Sequence, residues 1–159
     1  MTFNKLTDIP NGLIEGGEGG KDGEQYVTNA AFITAVFAHL PDGAFAATCE
    51  KRGDPSQGGW VARQVDPSAA SLSGGNNNYI GCSSFFPCDD GEFKARKAQF
   101  AACHFLMLDD LGTKVPLARL GDFELSWLIE TSPGNYQGGI IFAEPITDGD
   151  LAVKLLDAM

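Results

Sequence analysis

Two adjacent carboxylates, Asp109 and Asp110, close an apolar run and are followed at once by a glycine turn, in FLMLDDLGTK. Neighbouring negative charges repel unless a cation sits between them. They are therefore either solvated loop acids or ligands of a divalent cation, for which carboxylate oxygens are suitable hard donors. Along a strand, successive side chains point to opposite faces, so Asp109 falls with Cys103, Phe105 and Met107, and Asp110 with His104, Leu106 and Leu108. One metal can hold both only if the strand ends or twists at Asp109, which Gly112 makes feasible.

A second stretch, LIETSPGNYQGGIIF, reads as strand, tight polar turn, strand. Ser132, Asn135, Tyr136 and Gln137 concentrate hydrogen-bonding groups there, and Pro133 and Gly134 shape a backbone whose amides and hydroxyls could face an anion. The same residues are also ordinary turn formers. For one phosphate-bearing ligand to meet both stretches, LMLDD and WLIET must share a sheet, with the turn at the Asp109 end.

Basic residues are few. Lys94, Arg96 and Lys97 put three of the chain's 11 bases within FKARKAQ, either as contacts to nucleic-acid phosphates or as a solvated loop. Lys114 and Arg119 are further candidates for phosphate. His104 reads as a packed strand residue, and Trp127 as core or hairpin packing. Trp60, beside a Gly-Gly, could instead stack a base.

Composition limits the alternatives. The 159 residues are 43% apolar, enough for one domain with a core. With 21 acids against 11 bases the net charge is −10, which excludes attraction to nucleic acid through bulk charge. A polyanion must be met by a local basic patch or through metal ions. No apolar run is long enough to span a membrane, and MTFNKLTDIPNGL lacks the layout of a signal peptide; a cytoplasmic protein of a bacterial or phage-infected cell is expected. Cys49, Cys82, Cys88 and Cys103 form no CxxC pair, which argues against structural zinc and for reduced thiols, with Cys103 a small core residue.

The elements that must position these groups can be read in order. Residues 1–24 form a glycine-rich lead-in, and residues 25–159 one domain. Thr28 caps a helix carrying Phe32, Ile33, Val36, Phe37 and Leu40 at helical spacing, stopped by PDG. AFAATCE and WVARQV flank a polar loop as a hairpin. YIGCSSFF, ACHFLMLDD, SWLIET and GGIIFAEPI are strands. DGDLAVKLLDAM begins a helix near Asp148 or Asp150, with Leu151, Leu155 and Leu156 on its apolar face. Strands outnumber helices and pair as hairpins, so the expected class is α+β with a mainly antiparallel sheet and a few flanking helices. The chain stops just after a helix whose apolar face needs covering, as expected of an N-terminal portion of a longer protein.

HFLMLDDLGTK and LSWLIETSPGNYQGGIIF together, with basic FKARKAQF just upstream, resemble the primase domains of plasmid and phage replication proteins. These are the RepB-type branch of the archaeo-eukaryotic primase, or primase-polymerase, superfamily, and the resemblance covers roughly residues 79–159. It implies an RRM-like catalytic core performing metal-dependent nucleotidyl transfer from nucleoside triphosphates on a single-stranded DNA template, with a helicase in the same chain or in trans. Asp109 and Asp110 would then be catalytic ligands of Mg²⁺ or Mn²⁺. Ser132, Asn135, Gln137 and Lys114 would bind nucleotide, and Lys94, Arg96 and Lys97 nucleic acid. The chain departs from the superfamily pattern in three places: Gly112 stands where a second same-face acid is expected, Gln137 where many relatives have histidine, and no third acidic ligand precedes Met159. Two other functions fit parts of the chain. One is a non-catalytic nucleotide- or origin-binding module; the other is an acidic phage inhibitor, although its acids are dispersed.

Overall fold

A computed structural model of the chain describes residues 29–52, 57, 61–67 and 77–158. The glycine-rich lead-in, Thr28, Trp60 and most of the two polar loops lie outside the described residues. The elements are α1 (Asn29–Val36), β1 (Phe45–Lys51), β2 (Arg63–Val65), β3 (Asn77–Phe85), β4 (Phe100–Leu111), β5 (Trp127–Ser132), β6 (Asn135–Ile146) and α2 (Gly149–Asp157). The six strands form one sheet in the order β2-β1-β3-β4-β6-β5. Every neighbouring pair is antiparallel. The α+β class with a mainly antiparallel sheet and a few flanking helices is what the strand-rich sequence leads one to expect.

β4 lies inside the sheet, and this explains why its sequence runs apolar without alternation. Phe105 packs with Ile33 and Val36 of α1 and with Phe37 just after it, together with Ala46, Trp127 and Ile141. Its neighbour Leu106 joins a second cluster of Cys103, Phe142, Ile146 and Ala152 of α2. Adjacent residues thus enter different clusters on opposite faces, and a strand covered on both sides needs apolar residues at successive positions. Trp127 is core as expected: its ring makes edge-on contacts with Phe32 at 5.2 Å and Phe105 at 6.2 Å. It packs against Gly139, where any added Cβ would collide with the ring.

Three local expectations are corrected. α1 ends at Val36 instead of running to Leu40, with one more helical bond from Phe37 N to Ile33 O. In α2, Leu151 and Leu156 are exposed at 45% and 47%, and it is Ala152 that is buried, with half-buried Leu155 beside it. The phase is set by Asp148, which caps the helix by accepting from the amides of Asp150 and Leu151; the residue one turn on, Ala152, then meets the sheet. Finally, Asn135, Tyr136 and Gln137 are strand residues of β6 and not part of the turn. The β5–β6 ladder runs to the Ser132–Asn135 pair and leaves only Pro133 and Gly134 between the strands. Pro133 followed by Gly134 at φ +75 has the layout of a type II turn.

Candidate functional site

The last residues of β4 do not continue the regular pleat. Leu108 pairs with Gly138, but the next pairing is Leu111 with Tyr136, so β4 carries one residue more than β6 across this step. The surplus is a β-bulge, a feature that bends a strand and re-aims side chains. Asp110 sits in it at φ +56, the one described non-glycine residue with positive φ. Aspartate is among the residues that tolerate this conformation. The break that the sequence demands for two carboxylates to act together is therefore present, and it is made at Asp110.

The protein meets the repulsion of the pair with its own groups. Asp109 Oδ1 accepts from the Asp110 amide at 2.8 Å. Asp110 Oδ2 accepts from Lys114 Nζ at 2.6 Å. The turn that carries Lys114 back is held by main chain: the Asp110 carbonyl accepts from the amides of Lys114 and Val115, and Gly112 N donates to the Val115 carbonyl. The adjacent carboxylate raises the pKa of Lys114 above the usual lysine value, chiefly through that hydrogen bond.

This turn abuts the Pro133–Gly134 turn. Gly112, at φ +87, lies so close that an added Cβ would be 2.5 Å from the Gly134 carbonyl oxygen and 3.2 Å from the Tyr136 ring. Thr113 donates its hydroxyl to Asn135 Oδ1 in a short hydrogen bond. The Asn135 amide donates to Thr131 Oγ1 at 3.0 Å, and the Thr131 hydroxyl to the Asn135 carbonyl. Glu130 accepts from the Gly134 amide at 2.8 Å. Thr113, Thr131 and Glu130 are the residues that sequence reasoning passed over. Their only signal was their place inside LGTK and ETSPGN; Thr113 and Asn135, which bond each other, are 22 positions apart.

The candidate residues therefore separate into two groups. Asp109, Asp110, Lys114, Ser132, Asn135 and Gln137 lie at one end of the sheet. Gln137 is one step from Gly138 toward the turn, as Asp109 is one step from Leu108. Ser132 is two strands across from the bulge, about 10 Å by strand spacing. Ser132 is exposed and Gln137 half-buried, whereas Asn135 is already engaged on both ends of its amide. Lys94, Arg96 and Lys97 precede Phe100, at the other end of a 12-residue strand, roughly 30 Å from the aspartates. There Lys94 pairs with Glu92 at 2.5 Å and Lys97 approaches Asp150 at 3.7 Å.

The buried polar and thiol groups belong to the core. His104 is 2% exposed, bonds Ser84 Oγ through Nε2 at 2.8 Å, and has its pKa pushed down to about 4, mainly by burial and then by the charge of His39. All four cysteines are free. Burial lifts the Cys82 thiol to about 12 and raises that of Cys103. Among the described residues no helix is long and apolar enough to cross a membrane.

Among the described residues no three His, Cys, Asp or Glu side chains are grouped to hold a metal ion. The two adjacent carboxylates do match the way Mg²⁺ is commonly held beside nucleotides, with one or two carboxylates, waters and the substrate's own phosphates. No protein-family model matches the chain, and no curated protein or solved structure matches it either.

Proposed function

We propose that this chain is a primase-type replication module that transfers nucleotides from nucleoside triphosphates on a single-stranded DNA template, with Mg²⁺ or Mn²⁺. The observation that carries the reading is the junction of the Asp109–Asp110 bulge with the Pro133–Gly134 turn at one end of one sheet. Asp109 and Asp110 would hold the metal. Ser132 and Gln137 donate hydrogen bonds to phosphate oxygens, while Asn135 keeps the turn in place. When bound, the metal would supply Lewis-acid neutralisation of the triphosphate and lower the pKa of the attacking hydroxyl. Lys94, Arg96 and Lys97 are too distant to touch the same triphosphate; in this reading they contact template phosphates several nucleotides away.

The test is primer synthesis by the protein carrying Asp109→Asn or Asp110→Asn. Synthesis should be abolished with nucleotide binding partly kept, because these groups act on charge developing in the transition state. Gln137→Ala should chiefly raise KM, as loss of a neutral hydrogen bond costs about 0.5–1.5 kcal/mol. Folded Asp variants that still make primers would refute the catalytic assignment.

A second reading is a nucleotide- or origin-binding module without chemistry. It is favoured by the lack of a third metal-ligating carboxylate among the described residues and by the Lys114 ammonium already on Asp110. Triphosphate binding without metal-dependent synthesis would select it.

A further inference from the structure

β5 has the composition of a strand covered on both sides, yet it lies at the border of the sheet. Trp127, Leu128 and Ile129 are successive apolar residues, the pattern that β4 shows inside the sheet. Among the described residues no strand pairs with the outer side of β5. Trp127 is buried in the cluster on the α1 side. By alternation Ile129 shares that face and Leu128 takes the other, where it leans with Leu111 and Leu125 over Gly138. Both remain open to water, Leu128 at 49% and Ile129 at 42%. Phe123, shortly before the strand, is 66% exposed.

The two borders of the sheet differ. β2, at the far border, has three residues, with Arg63 and Gln64 exposed; a short edge carrying charge is a poor template for a further strand. β5 has none of the devices that protect an edge. Its six residues include no lysine, arginine or proline, and its ladder with β6 keeps regular register from Trp127 to Glu130. Its one charge, on Glu130, is turned to its own chain, where the carboxylate accepts from the Gly134 amide. The Thr131 hydroxyl is likewise engaged, by the Asn135 carbonyl. An edge strand turns every second amide and carbonyl outward, ready to pair with another strand.

We propose that β5 is a homodimer surface, along which two copies of this chain join antiparallel into one continuous sheet. The strand is complementary to itself about a two-fold axis at Ile129. Ile129 then meets Ile129 of the second copy, Trp127 lies opposite Thr131, and Leu128 opposite Glu130. Apolar groups cover both faces, and no like charges stand directly opposed. A two-fold contact closes on itself, and the blunted β2 edges stop further growth. Six residues make an edge about 20 Å long. Paired with its copy it buries on the order of 1,000 Å² in total, at the lower end of specific interfaces. Each copy carries a net charge of −10, which opposes association. The dimer is therefore weak and reversible, with a Kd on the order of 10–100 μM, and added salt tightens it by screening.

Sedimentation velocity of the full chain, at concentrations from well below to well above that Kd and in low and high salt, tests the pairing. Wild type should pass from monomer to dimer, and at lower concentration in high salt. Ile129→Lys places two ammonium groups against each other and should weaken the dimer about ten-fold or more. Its melting temperature, measured on the monomer, should stay near wild type because Ile129 is already partly exposed. Leu128→Lys should act likewise from the other face, so that one variant failing to fold still leaves the other. Arg63→Ala, on the opposite edge, should leave the dimer unchanged. Amide exchange at residues 128–130 should slow as concentration rises, and that at residues 63–65 should not. A monomer at every concentration refutes the proposal, and amides at 128–130 that are slow regardless of concentration would show another part of the chain on this edge. A dimer that both lysine variants leave intact, or whose 128–130 amides exchange as fast as in the monomer, forms elsewhere and refutes it equally.

Discussion

Gly112→Ala is the sharpest perturbation of the junction between the two turns. Two penalties apply. An alanine at φ +87 is in a left-handed conformation, which costs an L-residue about 1–2 kcal/mol. Its Cβ would also stand 2.5 Å from the Gly134 carbonyl oxygen, a backbone atom that cannot rotate away as a side-chain tip could. One turn must shift, which adds a strain on the order of 1–2 kcal/mol. Gly91→Ala separates the terms: φ is +80, and nothing lies within 4 Å of the added Cβ. In urea denaturation, Gly91→Ala should lose about 1–2 kcal/mol and Gly112→Ala about 2–4 kcal/mol. At this chain length the latter lowers the melting temperature by roughly 5–12 °C. Amide chemical shifts should move at residues 132–137 in Gly112→Ala alone. Equal losses in the two variants, with residues 132–137 undisturbed, would refute the contact and with it the shared site.

Other outcomes follow from the same geometry. His104 has a folded pKa of about 4 against 6.5 unfolded, so the unfolded state binds the proton more readily. Its stabilising contribution is complete above pH 6.5 and falls as pH drops toward 4, by about 2 kcal/mol at pH 5; His104→Phe should remove this slope between pH 7 and 5 in urea melts, and an unchanged slope would contradict it. Asp110→Asn, which tolerates positive φ, should keep its stability within about 0.5 kcal/mol, whereas Asp110→Ala should lose about 1 kcal/mol more; equal denaturation midpoints would argue against the left-handed bulge. Cys82 and Cys103, both with raised pKa, should resist alkylation at pH 8 in the native state and label on unfolding; native labelling at these two positions would show the clusters to be open.

Much of the architecture can be read from the residues themselves. The alternating and continuous apolar runs mark the strands at 44–50, 79–86, 102–110, 126–131 and 138–146, because side-chain periodicity is a local property. S-P-G-N carries its turn within itself, as Pro and Gly set the backbone angles without outside help. Core assignment of Phe37, Cys103 and Trp127 follows from the same patterns. The two sequence stretches singled out for chemistry, LDDLGTK and ETSPGNYQ, are the two that meet.

What only the tertiary structure decided are the features that depend on distant partners. A strand pattern does not say that β6 inserts between β4 and β5, although that order alone brings Leu111 against Tyr136 and both turns to one edge. The bulge at Asp110 exists because the β4 ladder must accommodate a residue that β6 lacks, a mismatch invisible in either strand alone. The phase of α2 turns on a cap at Asp148 and on the sheet beneath Ala152, so Leu151 and Leu156, which look like part of its apolar face, stand in solvent. Lys94, Arg96 and Lys97 are near the aspartates in sequence yet far away in space, because an extended strand converts each intervening residue into about 3.3 Å of separation. The cation that the paired carboxylates call for is likewise found in the fold: Lys114 returns to Asp110 because the main chain between them closes a tight turn.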